Sequence, residues 1–179
     1  MNAKAAKKAQ VQGTHMKTLE PFVISRTFKA SRERLWKAFT EVEQMKQWFG
    51  PKGFTTKQAK LDFRPGGIYH YCLVAPDGME MWGKFVYREI VPPSRIVFVN
   101  SFSDAEGGLT RHPMAPDWPS QMLTTITFTE EGDRTRFSVE WLPIEPSEAE
   151  WRTFDEGRDS MKQGWTGTFE QLEDYLAKS

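Results

Sequence analysis

His70 and Cys72 are the residues whose types and spacing most directly suggest chemistry. They stand two apart, so on an extended strand they share one face. An imidazole beside a thiol could ligate a metal or form a nucleophile. Zinc needs three or four converging ligands, whereas His15 and His112 lie far away in sequence and no paired metal-ligand spacing occurs. No metal site is expected. A catalytic cysteine needs a partner His and Asn beyond a single neighbour, and no Gly-x-Ser-x-Gly elbow is present. Cys72 therefore reads as a buried, inert thiol. Acid–base work by His70, Tyr69, Tyr71, Asp62 or Glu80 stays open, because sequence does not pair these groups in space; none is assigned a catalytic role. Gly66-Gly67 follows a proline, enters a strand and lacks a following Lys-Ser/Thr, so it is a turn and not a phosphate loop. No cofactor is expected.

A second constellation is apolar. Of the 179 residues 13% are aromatic, with seven Trp and thirteen Phe, enough for a large core or an aromatic-lined cavity. Candidate walls of such a cavity are Trp48 and Phe49, then Tyr69 and Tyr71, then Met79 and Met81. Phe98 and Met122 join them from later strands, and Met161 with Trp165 from a C-terminal helix. Arg158, seven residues before Trp165, would share their helix face and meet an acidic group on a ligand. Each of these side chains is equally a core residue. Together they point to a small apolar or aromatic molecule as the partner.

Bulk properties narrow the alternatives. Charge is balanced, 24 basic against 24 acidic residues, and the basic ones are dispersed among acids, so nucleic acid is not an expected partner. No apolar run approaches the ~18–20 residues that a membrane helix needs, so no membrane partner is expected. A lone cysteine excludes an internal disulfide framework and suits a reducing, cytoplasmic location. Residues 1–17 carry Lys4, Lys7, Lys8 and Lys17, no acid and almost nothing apolar, and are expected to be a disordered leader. Residues 18–179 are expected to fold as one domain.

The elements that must position these residues follow from periodicity and turn chemistry. Residues 18–28 read as a strand. Ser31 caps a short helix containing Leu35, Trp36 and Phe39, and Thr40 with Glu43 reads as the capping box of a second, which stops at Phe49-Gly50-Pro51. Strands are expected at 54–63, 68–75, 79–91, 95–102, 121–129 and 133–141, with Asp77-Gly78 and Glu131-Gly132 as hairpin turns. In the last pair Met122, Thr124, Ile126 and Phe128 share one face, as do Thr135, Phe137, Val139 and Trp141, which predicts an antiparallel sheet with one wet side. Residues 147–178 read as one long helix opened by Ser147 and Glu150. Its stripe contains Met161, Trp165, Phe169, Leu172 and Leu176, interrupted by Gly157, Gly164 and Gly167. The loop 103–120 has the length of a lid, with Met114 and Trp118 to cover something. The fold class is therefore α+β: a curved antiparallel sheet around a long C-terminal helix, with two short helices after the first strand.

The same chain carries a family resemblance. Ile24-Ser25-Arg26-Thr27-Phe28, Leu35-Trp36-Lys37-Ala38-Phe39-Thr40 and Gln47-Trp48-Phe49-Gly50-Pro51 resemble the opening of the family named after the activator of the heat-shock chaperone ATPase. So do Asp62-Phe63-Arg64-Pro65-Gly66-Gly67, Trp82-Gly83, Glu89-Ile90-Val91-Pro92-Pro93 and Gly164-Trp165. The matches run in order from about residue 20 to residue 176. Ala30-Ser31 departs from the usual Ala-Pro, and serine there still caps a helix. The resemblance implies the helix-grip fold of the START-like superfamily, shared with the major birch pollen allergen and polyketide cyclases. It also implies two alternatives to simple binding: cyclase- or hydrolase-like chemistry on a cyclic or polyketide-like substrate, and interaction with a chaperone. A homodimer stays open.

Overall fold

The structure, a computed structural model, describes residues 18–178. The expected leader, residues 1–17, lies outside the described residues. The first strand, β1 (Phe22–Phe28), starts later than the expected residue 18, immediately after Pro21, which has no N–H to give to a ladder. Two helices follow, α1 (Arg32–Thr40) and α2 (Val42–Trp48). Ser31 caps α1 as expected, accepting from the Arg34 N–H at 3.2 Å. The capping box expected at Thr40 does not form. Thr40 is the last residue of α1 and donates its hydroxyl back to the Trp36 carbonyl at 2.8 Å, so Glu41 occupies the cap of α2, without a side-chain bond.

Four strands come next: β2 (Thr55–Leu61), β3 (Ile68–Val74), β4 (Glu80–Val91) and β5 (Arg95–Ser103). A two-residue strand, β6 (Leu109–Thr110), then pairs with β5 inside the long loop, and β7 (Met122–Glu131) and β8 (Arg134–Pro143) form the last hairpin. The turn glycines Gly78 and Gly132 take φ of +89° and +68°, the left-handed region that hairpin turns require and only glycine enters freely.

All eight strands join one antiparallel sheet in the order β1-β8-β7-β5-β4-β3-β2, with β6 beside β5. The first strand thus pairs with the last, and the two helices span from one edge to the other. Register slips at Tyr87/Glu89 in β4 and at Thr56/Gln58 in β2 are bulges of the kind that bend a sheet. On the inner face Thr135, Phe137 and Val139 are buried beside Thr124, Ile126 and Phe128, as the alternation predicted, whereas Trp141 is half-buried.

The C-terminal segment is two helices, where one was expected. The segment breaks at Gly157 into α3 (Glu148–Glu156) and α4 (Arg158–Ala177). Ser147 and Glu150 form the expected capping box of α3. A side chain at the break would be crowded: a Cβ on Gly157 would meet the Thr153 carbonyl at 3.1 Å and the Trp118 ring at 3.2 Å. The long α4 fills the concave side of the sheet, which is the helix-grip arrangement. Among the described residues no helix is long and apolar enough to cross a membrane.

Candidate functional site

Between the N-terminal half of α4 and the sheet lies a cavity of about 390 Å³, partly open to solvent. This is within the range of small-molecule sites, roughly 300–1,000 Å³. The sheet supplies its walls through paired inward positions: Tyr71 opposite Gly83, Leu73 opposite Met81 and Asn100 opposite Met122. Gly83 is required where it stands, because a Cβ there would sit 2.5 Å from the Tyr71 hydroxyl; the missing side chain lets the Tyr71 ring lie across the strand. Facing the sheet, α4 presents Met161, Gly164 and Trp165. Gly164 borders the cavity but is exposed, and a Cβ built on it meets nothing within 4 Å. Phe49 and Gly50 close one end. Thr168 holds them there by donating to the Gly50 carbonyl at 3.0 Å, and Gln171 donates to the same oxygen at 2.6 Å.

Of the residues picked from sequence, the structure brings Phe49, Tyr71, Met81, Phe98, Met122, Met161 and Trp165 together on this cavity. The others go elsewhere. Trp48 is buried beneath α1, its indole N–H donating to the Ala38 carbonyl at 2.9 Å. Tyr69 has the inward parity but sits in the wall, stacked on Tyr71 and tilted against Phe85. Met79 is at the hairpin tip and exposed. Arg158 turns away from the cavity: it donates to the carbonyls of Pro21 at 3.1 Å and Glu20 at 2.6 Å, and its Nε donates to Asp155 at 2.9 Å. It therefore anchors the start of α4 to the chain before β1. His70 is on the outer face, stacked on Trp82 and bonded to the Asp104 carbonyl. Burial, with the Glu80 carboxylate next in effect, pushes the outer-facing Cys72 thiol up, which keeps it protonated and inert. Among the described residues no cluster of three His, Cys, Asp or Glu is placed to hold a metal ion.

The loop between β5 and β7 covers the cavity with Trp118, Pro119 and His112. Trp118 packs on Phe154 of α3 at 5.9 Å, while Met114 points to solvent and covers nothing. Arg111 bridges the loop to α3, donating to Glu150 at 2.9 Å. The Glu150 carboxylate is held below its ordinary range first by the Ser147 N–H it accepts and then by Arg111. His112 accepts the Met114 N–H on Nδ1 at 3.0 Å, which leaves Nε2 to carry the proton of the neutral ring. Burial pushes the His112 pKa down, favouring that neutral form, and burial pushes the Tyr71 phenol up, so that it remains un-ionised.

Among the described residues no Lys, Arg, Asp or Glu lines the cavity. Its polar side chains are neutral: His112, Tyr71, Asn100, Ser101, Ser160 and Thr168.

The sequence matches the family described as activator of Hsp90 ATPase homolog 1-like protein over residues 29–177. The chain belongs to this family. Among solved structures, a protein from Mycobacterium smegmatis is 24% identical, with 86% of this chain and 88% of that chain covered, and a TM-score of 0.68. A protein from Chromobacterium violaceum is 25% identical over 86% and 94%, with a TM-score of 0.66. The AHSA1 protein from Silicibacter pomeroyi is 19% identical over 88% and 98%, with a TM-score of 0.68. These likenesses carry the fold. No curated protein matches the sequence. In this member of the Hsp90-activator-like family, sequence reasoning missed Trp141, Asn100, His112 and Gly164 as cavity residues. Trp141 and Asn100 had a readable signal, the inward parity of their strands. For His112, which the loop delivers, there was none.

Proposed function

We propose that this chain is a single binding module for a small, largely apolar or aromatic molecule, held between the sheet and α4. One observation carries the reading: a cavity of about 390 Å³ stands between the sheet and α4, and among the described residues its lining contains no charged side chain. Protein interiors are packed with few voids larger than a water molecule. Space of this size kept open between helix and sheet is the expected design for an occupant.

Catalysis in the same cavity would have to use Tyr71 and His112, since His70 is on the opposite face of the sheet. The Tyr71 phenol is un-ionised, the basic Nδ1 of His112 is occupied by the Met114 N–H, and among the described residues the lining holds no carboxylate to act as a base. Binding is therefore the reading the site supports best, and the chaperone contact implied by the family name is not needed to account for it.

The test is titration with a neutral apolar dye, N-phenyl-1-naphthylamine, against the protein and its Gly164→Leu variant. Saturable binding near one dye per chain is expected, with loss in the variant while the far-ultraviolet circular dichroism is unchanged. Absence of saturable dye binding, or equal binding by a folded Gly164→Leu variant, would remove the proposal.

A further inference from the structure

The filled core and the cavity are built from different apolar side chains. The core mixes aromatic rings with branched aliphatics, among them Leu35, Ile96, Ile126, Val139 and Leu172, and none of these five lines the cavity. Among the described residues the lining holds ten Phe, Tyr and Trp rings and three methionines, with Leu73 its one branched aliphatic. The rings come from separate elements: Phe49 after α2, Tyr71 from β3, Phe102 from β5, Trp118 from the covering loop and Trp141 from β8. Those five are half-buried, so they keep surface that a ligand can cover. Met81 of β4, also half-buried, brings a thioether to the same space. Lining rings already meet in both geometries that aromatic pairs favour. Phe49 stands edge-on to Tyr71 at 5.4 Å, and Phe85 stacks on Phe98 at 4.1 Å.

Burial of area does not tell a saturated ligand from an aromatic one, since it rewards any apolar surface in proportion to its size. Two further effects do. An aromatic ring has a negative face and a positive edge, so an edge-to-face or offset pair gains beyond its area. A thioether sulfur gains in the same way at a ring edge. A saturated ring or an acyl chain has no such charge distribution and collects neither gain. Resting on the binding reading above, we infer that the cavity selects an aromatic molecule, and that saturated lipids, whether acyl chains or alicyclic ring systems, are not its ligands. A ring side chain has few torsions to freeze, so such a wall is pre-positioned at little entropic cost.

Three alcohols with the same number of carbons separate the possibilities: 2-naphthylmethanol, its fully saturated decalin counterpart and 1-undecanol. Each is titrated against protein loaded with N-phenyl-1-naphthylamine. The aromatic alcohol is the least hydrophobic of the three, so area alone ranks it last. The inference ranks it first, about threefold to tenfold tighter than the decalin alcohol. On protein with ¹³C-labelled methionine methyls it should also impose ring-current shifts on Met81, Met122 and Met161, assigned by Met81→Leu, Met122→Leu and Met161→Leu. Trp118→Leu and Phe102→Leu should each narrow the aromatic-to-saturated ratio by about twofold, whereas a change of cavity size alone would weaken both alcohols together. An order that follows hydrophobicity would overturn the inference and leave the binding reading standing. So would failure of the aromatic alcohol to displace the dye, or unmoved signals of those three methionines on saturation with it. If the dye itself does not bind saturably, both fall. The ranking is read on the wild-type protein, so it decides the question even if a variant fails to fold.

Discussion

The two halves of α4 face the same sheet and end in opposite ways. In the C-terminal half Phe169 packs edge-on against Phe28 at 5.8 Å and Phe137 at 5.7 Å, and Leu172 is 1% exposed; nothing is left to fill. In the N-terminal half Met161 and Trp165 stand around Gly164 and border a cavity of about 390 Å³. The backbone is one continuous helix throughout. What differs is the supply of side-chain volume: phenyl rings from β1, β8 and α4 at one end, glycine on both β4 and α4 at the other. A binding site can thus be made in a conventional core by withholding atoms, with no change of fold.

The largest effects should come from the filled end. Phe137→Ala removes a ring in contact with Phe28, Phe39, Phe128 and Phe169, and should cost about 3–5 kcal/mol in urea unfolding. Arg136→Ala, one residue away, removes an exposed ion pair with Glu131 and should cost under about 1 kcal/mol. Comparable losses at the two positions would mean that the faces of β8 are not so divided.

Leu172→Ala should be next, at about 2–5 kcal/mol, with dye affinity unchanged because Leu172 does not line the cavity. If dye binding fell together with stability, the two halves would share one deformable space and the contrast between them would dissolve.

Met161→Phe carries the contrast to the other end. In a close-packed site this enlargement costs roughly 1–3 kcal/mol. Beside the cavity it should change stability by less than about 1 kcal/mol and weaken dye binding several-fold. A clearly destabilised variant would place Met161 with the filled core.

Strands and hairpins were legible because each signal is local. Asp77-Gly78 needs only its own φ angles, and the period-two alternation of residues 122–128 follows from the pleat. The break at Gly157 was not legible. The apolar stripe passes from Phe154 to Met161 without a fault, and the Trp118 ring that lies 3.2 Å from where a Cβ of Gly157 would stand belongs to a distant loop. The same limit governs the site. Tyr69 and Tyr71 share one strand parity, as do Met79 and Met81, but parity alone does not separate the cavity wall from the second row, where Tyr69 lies, or from the hairpin tip, where Met79 lies. For Arg158, helical spacing gave the direction of the Cα–Cβ bond only. A long side chain can still turn back to backbone carbonyls, and it does.

The smallest effect gives the sharpest comparison, because it sets two glycines of one helix against each other. Replacing an interior helix glycine by alanine stabilises by about 0.5–1 kcal/mol when the new methyl has room. At Gly164, an exposed residue bordering the cavity, the methyl meets no atom within 4 Å, so the full gain should appear, together with weaker binding of ligands large enough to reach that border. At Gly167 the same methyl meets the Lys52 Cβ at 3.2 Å, so part of the gain should be lost in displacing the segment at Pro51-Lys52, and dye binding should be unaffected. Thermal unfolding and dye titration of the two variants side by side measure both quantities. Equal stabilisation with no loss of binding at Gly164 would show that its missing side chain serves the helix and not the cavity, and the reason for a glycine there would have to be sought outside ligand binding.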